Sequence, residues 1–208
     1  MSTTLIDVAP GLWIWRVEYP DWTPAAGWPR TVTSTCVESA GEVIVLDALA
    51  PPDDATEVWA RLDGRPPTMA VVLKPDHVRD VDLFVRRYGV RAFGPWLFWR
   101  TNIPETELEP IEPGSELPGG LLALYDGRGR NETPMWLPEQ RALVFADALT
   151  APEGELRVWA TPQEERALPA LRALLDLPFE HVIVAHGDPV HDRAAYERAL
   201  DLPTWKGE

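Results

Sequence analysis

The chain has 208 residues, 45% hydrophobic and 25% charged, which suits one domain over residues 1–208 with a sizeable core. Its formal charge of −14 repels phosphate backbones and anionic lipid surfaces, so neither nucleic acid nor membrane is an expected partner. No basic apolar leader and no run near the roughly 20 residues of a membrane span is present. A single cysteine, Cys36, cannot form an internal disulfide, so a cytoplasmic location is expected.

Residues 11–18 and 31–38 read as strands, joined by a Pro-, Trp- and Gly-rich loop over 19–30. Trp22 and Trp28 in that loop either line a pocket or cap the packing. Residues 42–47 form a strand ending in Asp47. Asp53 or Asp54 then caps a helix whose Ala55, Val58, Trp59 and Leu62 recur at helical spacing, stopped by Gly64 and the Pro66–Pro67 pair.

Met69 to Leu73 is a short apolar, β-branched run, the pattern of a buried strand. Pro75 breaks it, and Val78, Val81, Val85 and Tyr88 then fall on one helical face with Gly89 at the C-cap. Polar residues between those two elements sit where open α/β sheets place ligands. Residues 90–93 make another short strand. Residues 101–120, rich in Pro, Glu and Gly, read as a loop and crossover.

In the second half, residues 121–125, 134–137 and 142–146 read as strands, the last two joined by a turn at 138–141. Thr161-Pro162-Gln163-Glu164 is a capping box opening a helix that Pro169 should kink or shorten. Residues 181–185 form a buried strand with His186-Gly187 at its end, and a helix over 192–200 completes the chain.

The segment Lys74-Pro75-Asp76-His77-Val78-Arg79-Asp80, between a buried strand and a helix, resembles the metallo-β-lactamase superfamily motif Thr-His-x-His-x-Asp-His. Lys74 takes the Thr position, Pro75 the first His, His77 the second, Arg79 the Asp and Asp80 the last His. Leu137-Pro138-Glu139 anchors a second landmark, which puts Arg128 at the family's third histidine and Asp147 on the aspartate that bridges two metals. His186-Gly187 matches its final histidine, and Asp47 its supporting aspartate. The resemblance implies an α+β / α/β fold, a four-layer αββα sandwich with the site at the shared edge of two sheets.

Enzymes of that superfamily use zinc, iron or manganese to polarise a carbonyl or phosphoryl group. His77, Asp80, Asp147 and His186 survive as usable ligands, whereas Pro75, Arg79 and Arg128 cannot bind a metal. The three-histidine site keeps only His77 and is expected to be empty. The other site keeps Asp80, Asp147 and His186.

Two readings follow. In the first, no metal binds: Arg79 and Arg128 are the site's cations, and a non-catalytic or repurposed protein binds a small anionic ligand in an Arg-lined cleft or serves a partner there, unless the Arg–Asp cluster is only structural. In the second, His77, Asp80, Asp147 and His186 hold one divalent metal, Zn, Mn or Fe, for hydrolysis, with Asp76 or water moving the proton. Cys36 reads as a small buried hydrophobe, and His181 and His191 as surface or capping residues. Trp-rich loops would suit a homodimer.

Overall fold

Alternation decides where the layers form. In the computed structural model, which describes residues 3–124 and 132–207, strands β1 (Thr4–Ala9), β2 (Leu12–Glu18), β3 (Thr31–Ser39), β4 (Glu42–Leu46), β5 (Met69–Val71), β6 (Arg91–Gly94) and β7 (Glu109–Pro110) lie side by side in chain order. The first four pair antiparallel and the rest parallel. Successive side chains of a strand point to opposite faces. Leu12 and Ile14 therefore enter one core with Ile44 and Leu46, while Trp13, Trp15 and Val17 enter another with Val43 and Val45.

That second core is closed by α1 (Thr56–Gly64) and α2 (Val81–Tyr88) through Val58, Leu62, Val81 and Phe84. Burying side chains of this size contributes about 1.5–3 kcal/mol each. Gly89 ends α2 in the left-handed conformation (φ 66°), as the sequence predicts.

The second sheet is built from β8 (Glu116–Leu117), β9 (Leu121–Ala123), β10 (Met135–Leu137) and β11 (Ala142–Val144). A side ribbon of β12 (Leu149–Thr150) and β13 (Arg157–Val158) precedes β14 (His181–Ile183), which pairs parallel with β11. Leu137, Val144 and Ile183 face the first sheet, whereas Leu143 and Val182 face α3 (Glu164–Ala173) and α4 (Arg193–Asp201). The result is the expected αββα sandwich. Among the described residues, no helix is long and apolar enough to cross a membrane.

Several local expectations differ. β1 escapes the sequence reading because none of its residues is fully buried, so its apolar signal is weak. β7 and β8 lie in the stretch expected as loop; two residues each are too few for a period. α1 begins after Ala55 with no side-chain cap, so neither Asp53 nor Asp54 serves. α2 begins at Val81 and not at Val78, because Pro75 and a left-handed Arg79 (φ 45°) keep 74–80 in turns. α3 begins at Glu164 with no side-chain cap, since the Thr161 hydroxyl instead bonds Gln163. Pro169 stays inside α3 on an exposed face, where the carbonyl it leaves unpaired can turn to water. Tightening follows at once, in a 3₁₀ turn at Leu174–Asp176.

Candidate metal centre

Four parallel-paired strands, β4, β5, β11 and β14, end at one edge, and their C-terminal ends carry the polar residues. Asp47 follows β4, residues 74–80 follow β5, Asp147 follows β11 and His186 follows β14. Cross-sheet bonds lock the edge together: Thr33 N–H donates to Ala185 O (2.8 Å) and Thr133 N–H to Leu73 O (2.8 Å). Gly187 lets the chain pass closely, for a Cβ there would lie 2.5 Å from the Ala151 Cβ, and its φ of +137° suits only glycine.

Asp147 is the centre of the site. Its Oδ1 lies 3.4 Å from His77 Nε2 and 3.5 Å from His186 Nε2, and all three residues are buried. Ligand atoms of His77, Asp147 and His186 all fall within 4.8 Å of one another, so this group could hold one metal ion. Two imidazole nitrogens and a carboxylate oxygen suit zinc or iron chemically. His186 Nδ1 is a buried polar atom without a hydrogen-bond partner among the described residues.

Surrounding groups hold these ligands in place. Asp47 Oδ2 lies 2.7 Å from His77 Nδ1, while Asp47 Oδ1 accepts the Leu73 N–H at 2.7 Å. This carboxylate–histidine contact directs Nε2 toward Asp147, an arrangement that orients metal-binding histidines. On the other side of Asp147, Lys74 Nζ donates to Oδ2 at 2.5 Å and to Asp76 at 2.7 Å. The Asp147 backbone is clamped too. Buried Glu132 accepts N–H groups from Ala146, Asp147 and Ala148 at 3.1, 3.1 and 3.2 Å.

Electrostatics follow from these contacts. Burial alone would lower the His77 pKa, but the Asp147 and Asp47 carboxylates outweigh it and raise it to about 9. Burial opposes the Asp147 charge, yet His77 and Lys74 hold that carboxyl well below its usual range. His186 is shifted down by burial, against the pull of Asp147, and so keeps the neutral form that binds metals. Burial, with Asp147 nearby, pushes Glu132 up to about 7.

Of the four sequence-predicted ligands, the structure brings His77, Asp147 and His186 together and leaves Asp80 apart. Asp80 precedes α2, and its Oδ2 accepts the Ala50 N–H at 2.7 Å. His77 therefore joins the group that the sequence reading assigned to Asp80. Arg79 lines the cleft, and its Nη1 donates to the Thr33 carbonyl (2.6 Å) and to the Asp47 carbonyl. Arg128 lies outside the described residues.

The cleft encloses about 370 Å³. Tyr19, Trp28, Trp99 and Trp159 wall it, and the Trp28 and Trp159 rings flank His186 with centroids 5.0 and 5.5 Å away. Of the two readings left open for these residues, Trp28 takes the first and lines the pocket, whereas the Trp22 indole donates to the Trp28 carbonyl and packs the loop. His191 pairs with His181, Nδ1 to Nδ1 2.9 Å, and takes no part in the buried group. Cys36 is buried in the core, and burial raises its thiol pKa.

Sequence reasoning missed Lys74 as a site residue, and with it Glu132, Trp99 and Trp159. Lys74 stands at a motif position where a lysine has no assigned role, and its ammonium reaches the site only through a buried side chain. An apolar strand running straight into a lysine was the available signal.

No protein family matches the sequence in a scan of family descriptions, and no curated protein matches it in a sequence search. Solved structures do match in shape. The metallo-β-lactamase FIM-1 from Pseudomonas aeruginosa, in its mono-zinc form, superposes with a TM-score of 0.72 at 17% identity, over 97% of this chain and 95% of that one. A metallo-β-lactamase from Pontibacter korlensis gives 0.73 at 15% identity over 97% and 98%. A metallo-β-lactamase family protein from Thermus thermophilus gives 0.66 at 19% identity over 94% and 80%. The αββα layers thus agree with whole-chain similarity to these proteins: this chain has the metallo-β-lactamase fold.

Proposed function

We propose that this chain is a mononuclear metal-dependent hydrolase, with one divalent ion held by His77, Asp147 and His186. The observation that carries this is the convergence of two histidine Nε2 atoms on one buried carboxylate oxygen, at 3.4 and 3.5 Å. Asp47 behind His77 supports it, because a tautomer held by a carboxylate is what a metal-binding imidazole needs. FIM-1, a neighbour in fold, has a mono-zinc form. When bound, such an ion polarises a carbonyl or phosphoryl group and activates water.

The chain's own residues then have separate tasks. Asp47 sets the His77 ring, and Lys74 fixes the rotamer of Asp147. Asp76, whose carboxylate is one-fifth exposed at the cleft, is placed to take and return a proton. The tryptophan walls exclude water and receive an apolar substituent.

A second reading, a metal-free cleft that binds a small anion, draws on Lys74 and Arg79 lining the same pocket. Metal titration of the purified chain separates the two. The hydrolase reading expects one tightly held zinc, manganese or iron ion per chain, lost in a His77→Ala, His186→Ala variant, and turnover that chelators abolish. Absence of any bound ion after incubation with these metals would overturn it in favour of the anion-binding cleft.

A further inference from the structure

Asp147 has two carboxylate oxygens with different neighbours. Oδ1 faces the two histidines, and Oδ2 meets the ammonium of Lys74 at 2.5 Å. A second divalent ion on Oδ2 would need a position about 2.0–2.2 Å from it. Nζ already fills that space. The same Nζ bonds Asp76 at 2.7 Å, so two carboxylates from different sheets enclose one cation position. The lysine side chain is only 3% exposed, and the Trp99 ring lies over it with its centroid 5.7 Å from Nζ. This ammonium is tethered, desolvated and covered; it is built into the site and does not wander on a surface.

We propose that Lys74 is a resident second cation, occupying the place beside Asp147 and Asp76 that a second metal ion would take and so limiting the site to one exchangeable ion. The inference rests on the mononuclear reading for its first ion. Two further properties of the site follow from it. Lys74 neutralises part of the negative charge of Asp147 without leaving when a chelator is added. It also holds Oδ2, while Oδ1 is the oxygen that faces His77 and His186. Lys74 is a positioning residue in this account, acting through Asp147.

The test is a manganese and zinc titration of the full chain, read by calorimetry and by native mass spectrometry. It compares the parent with Lys74→Met, which removes the charge at similar length, and Lys74→Arg, which keeps it. The expected result is one ion for the parent and for Lys74→Arg. Lys74→Met should take an additional ion at least ten-fold more tightly than the parent takes a second. Melting in chelator provides a parallel readout. Lys74→Met should melt below Lys74→Arg there and recover the difference on addition of manganese.

A parent that takes two ions with equal affinity overturns the proposal, as does a folded Lys74→Met that gains none. If Lys74→Met fails to fold in chelator, rescue of its folding by manganese supports the proposal and the lack of rescue opposes it. The two readings fail separately. A parent that binds no ion, beside a Lys74→Met that binds one, removes the mononuclear reading and leaves the resident cation standing.

Discussion

The four histidines of this chain form two pairs, and the pairs have opposite characters. His77 and His186 are buried and meet through a shared oxygen of Asp147, with Asp47 behind one ring. His181 and His191 lie at the surface and meet each other directly, nitrogen to nitrogen, with no carboxylate between them. In the first pair, burial and two carboxylates compete, and the carboxylates raise His77. In the second, burial and the neighbouring His191 act together and lower His181. Proximity of two imidazoles is therefore not what makes a metal cradle. The intervening carboxylate, isolated from water and held by other charges, does.

The most forceful way to break the contrast is Asp147→Ala. It leaves Lys74 and His77 buried beside each other without their shared anion, and breaking such a buried pair costs about 3–5 kcal/mol. Urea melts should show that loss, together with loss of metal binding, whereas His191→Ala at the exposed pair should stay within about 0.5 kcal/mol of the parent. Asp47→Asn is the next largest. The His77 ring loses its charged anchor, and metal affinity should fall about 10–100-fold in a competitive chelator titration.

Opposite pH responses sharpen the comparison further. His77 is raised from 6.5 to about 9 in the folded chain, so its contribution to metal-free stability is complete below pH 6.5 and is lost as pH rises through 9. Melting temperature in chelator should fall over that window. Metal affinity should rise over the same window, because an ion must displace the His77 proton. His181 is lowered, so its effect runs the other way: stability is lost as pH falls below 6.5. His191→Gln should weaken that acid loss, the smallest effect of the set, visible in melts at pH 5 against pH 7.

Much of the fold was legible because burial on both faces leaves a strong trace. Residues 12–17 and 43–46 are apolar almost throughout, and both of their faces pack. Edge strand β1 left little trace, being half wet. Within the site, His77, Asp147 and His186 could be located by the resemblance to the metallo-β-lactamase motif, which the readable strands before them anchor. Which of them converge could not. His77 and Asp80 stand three residues apart, and the left-handed turn at Arg79 between them sends one inward and the other to the Ala50 amide. Lys74 and Glu132 were illegible for a related reason. Each acts at a residue distant in sequence, Lys74 on Asp147 and Glu132 on the amides at 146–148, and local pattern carries no record of such contacts.

The three candidate ligands come from both sheets: His77 follows β5 of the first, while Asp147 and His186 follow β11 and β14 of the second. An ion shared by them would cross-link the two halves of the sandwich and would have no equivalent site in the unfolded chain. Mass action then ties folding to metal supply, with free ion at a hundred times its dissociation constant adding about 2.7 kcal/mol to stability. Those three side chains would thereby make the amount of folded protein a gauge of the metal around it.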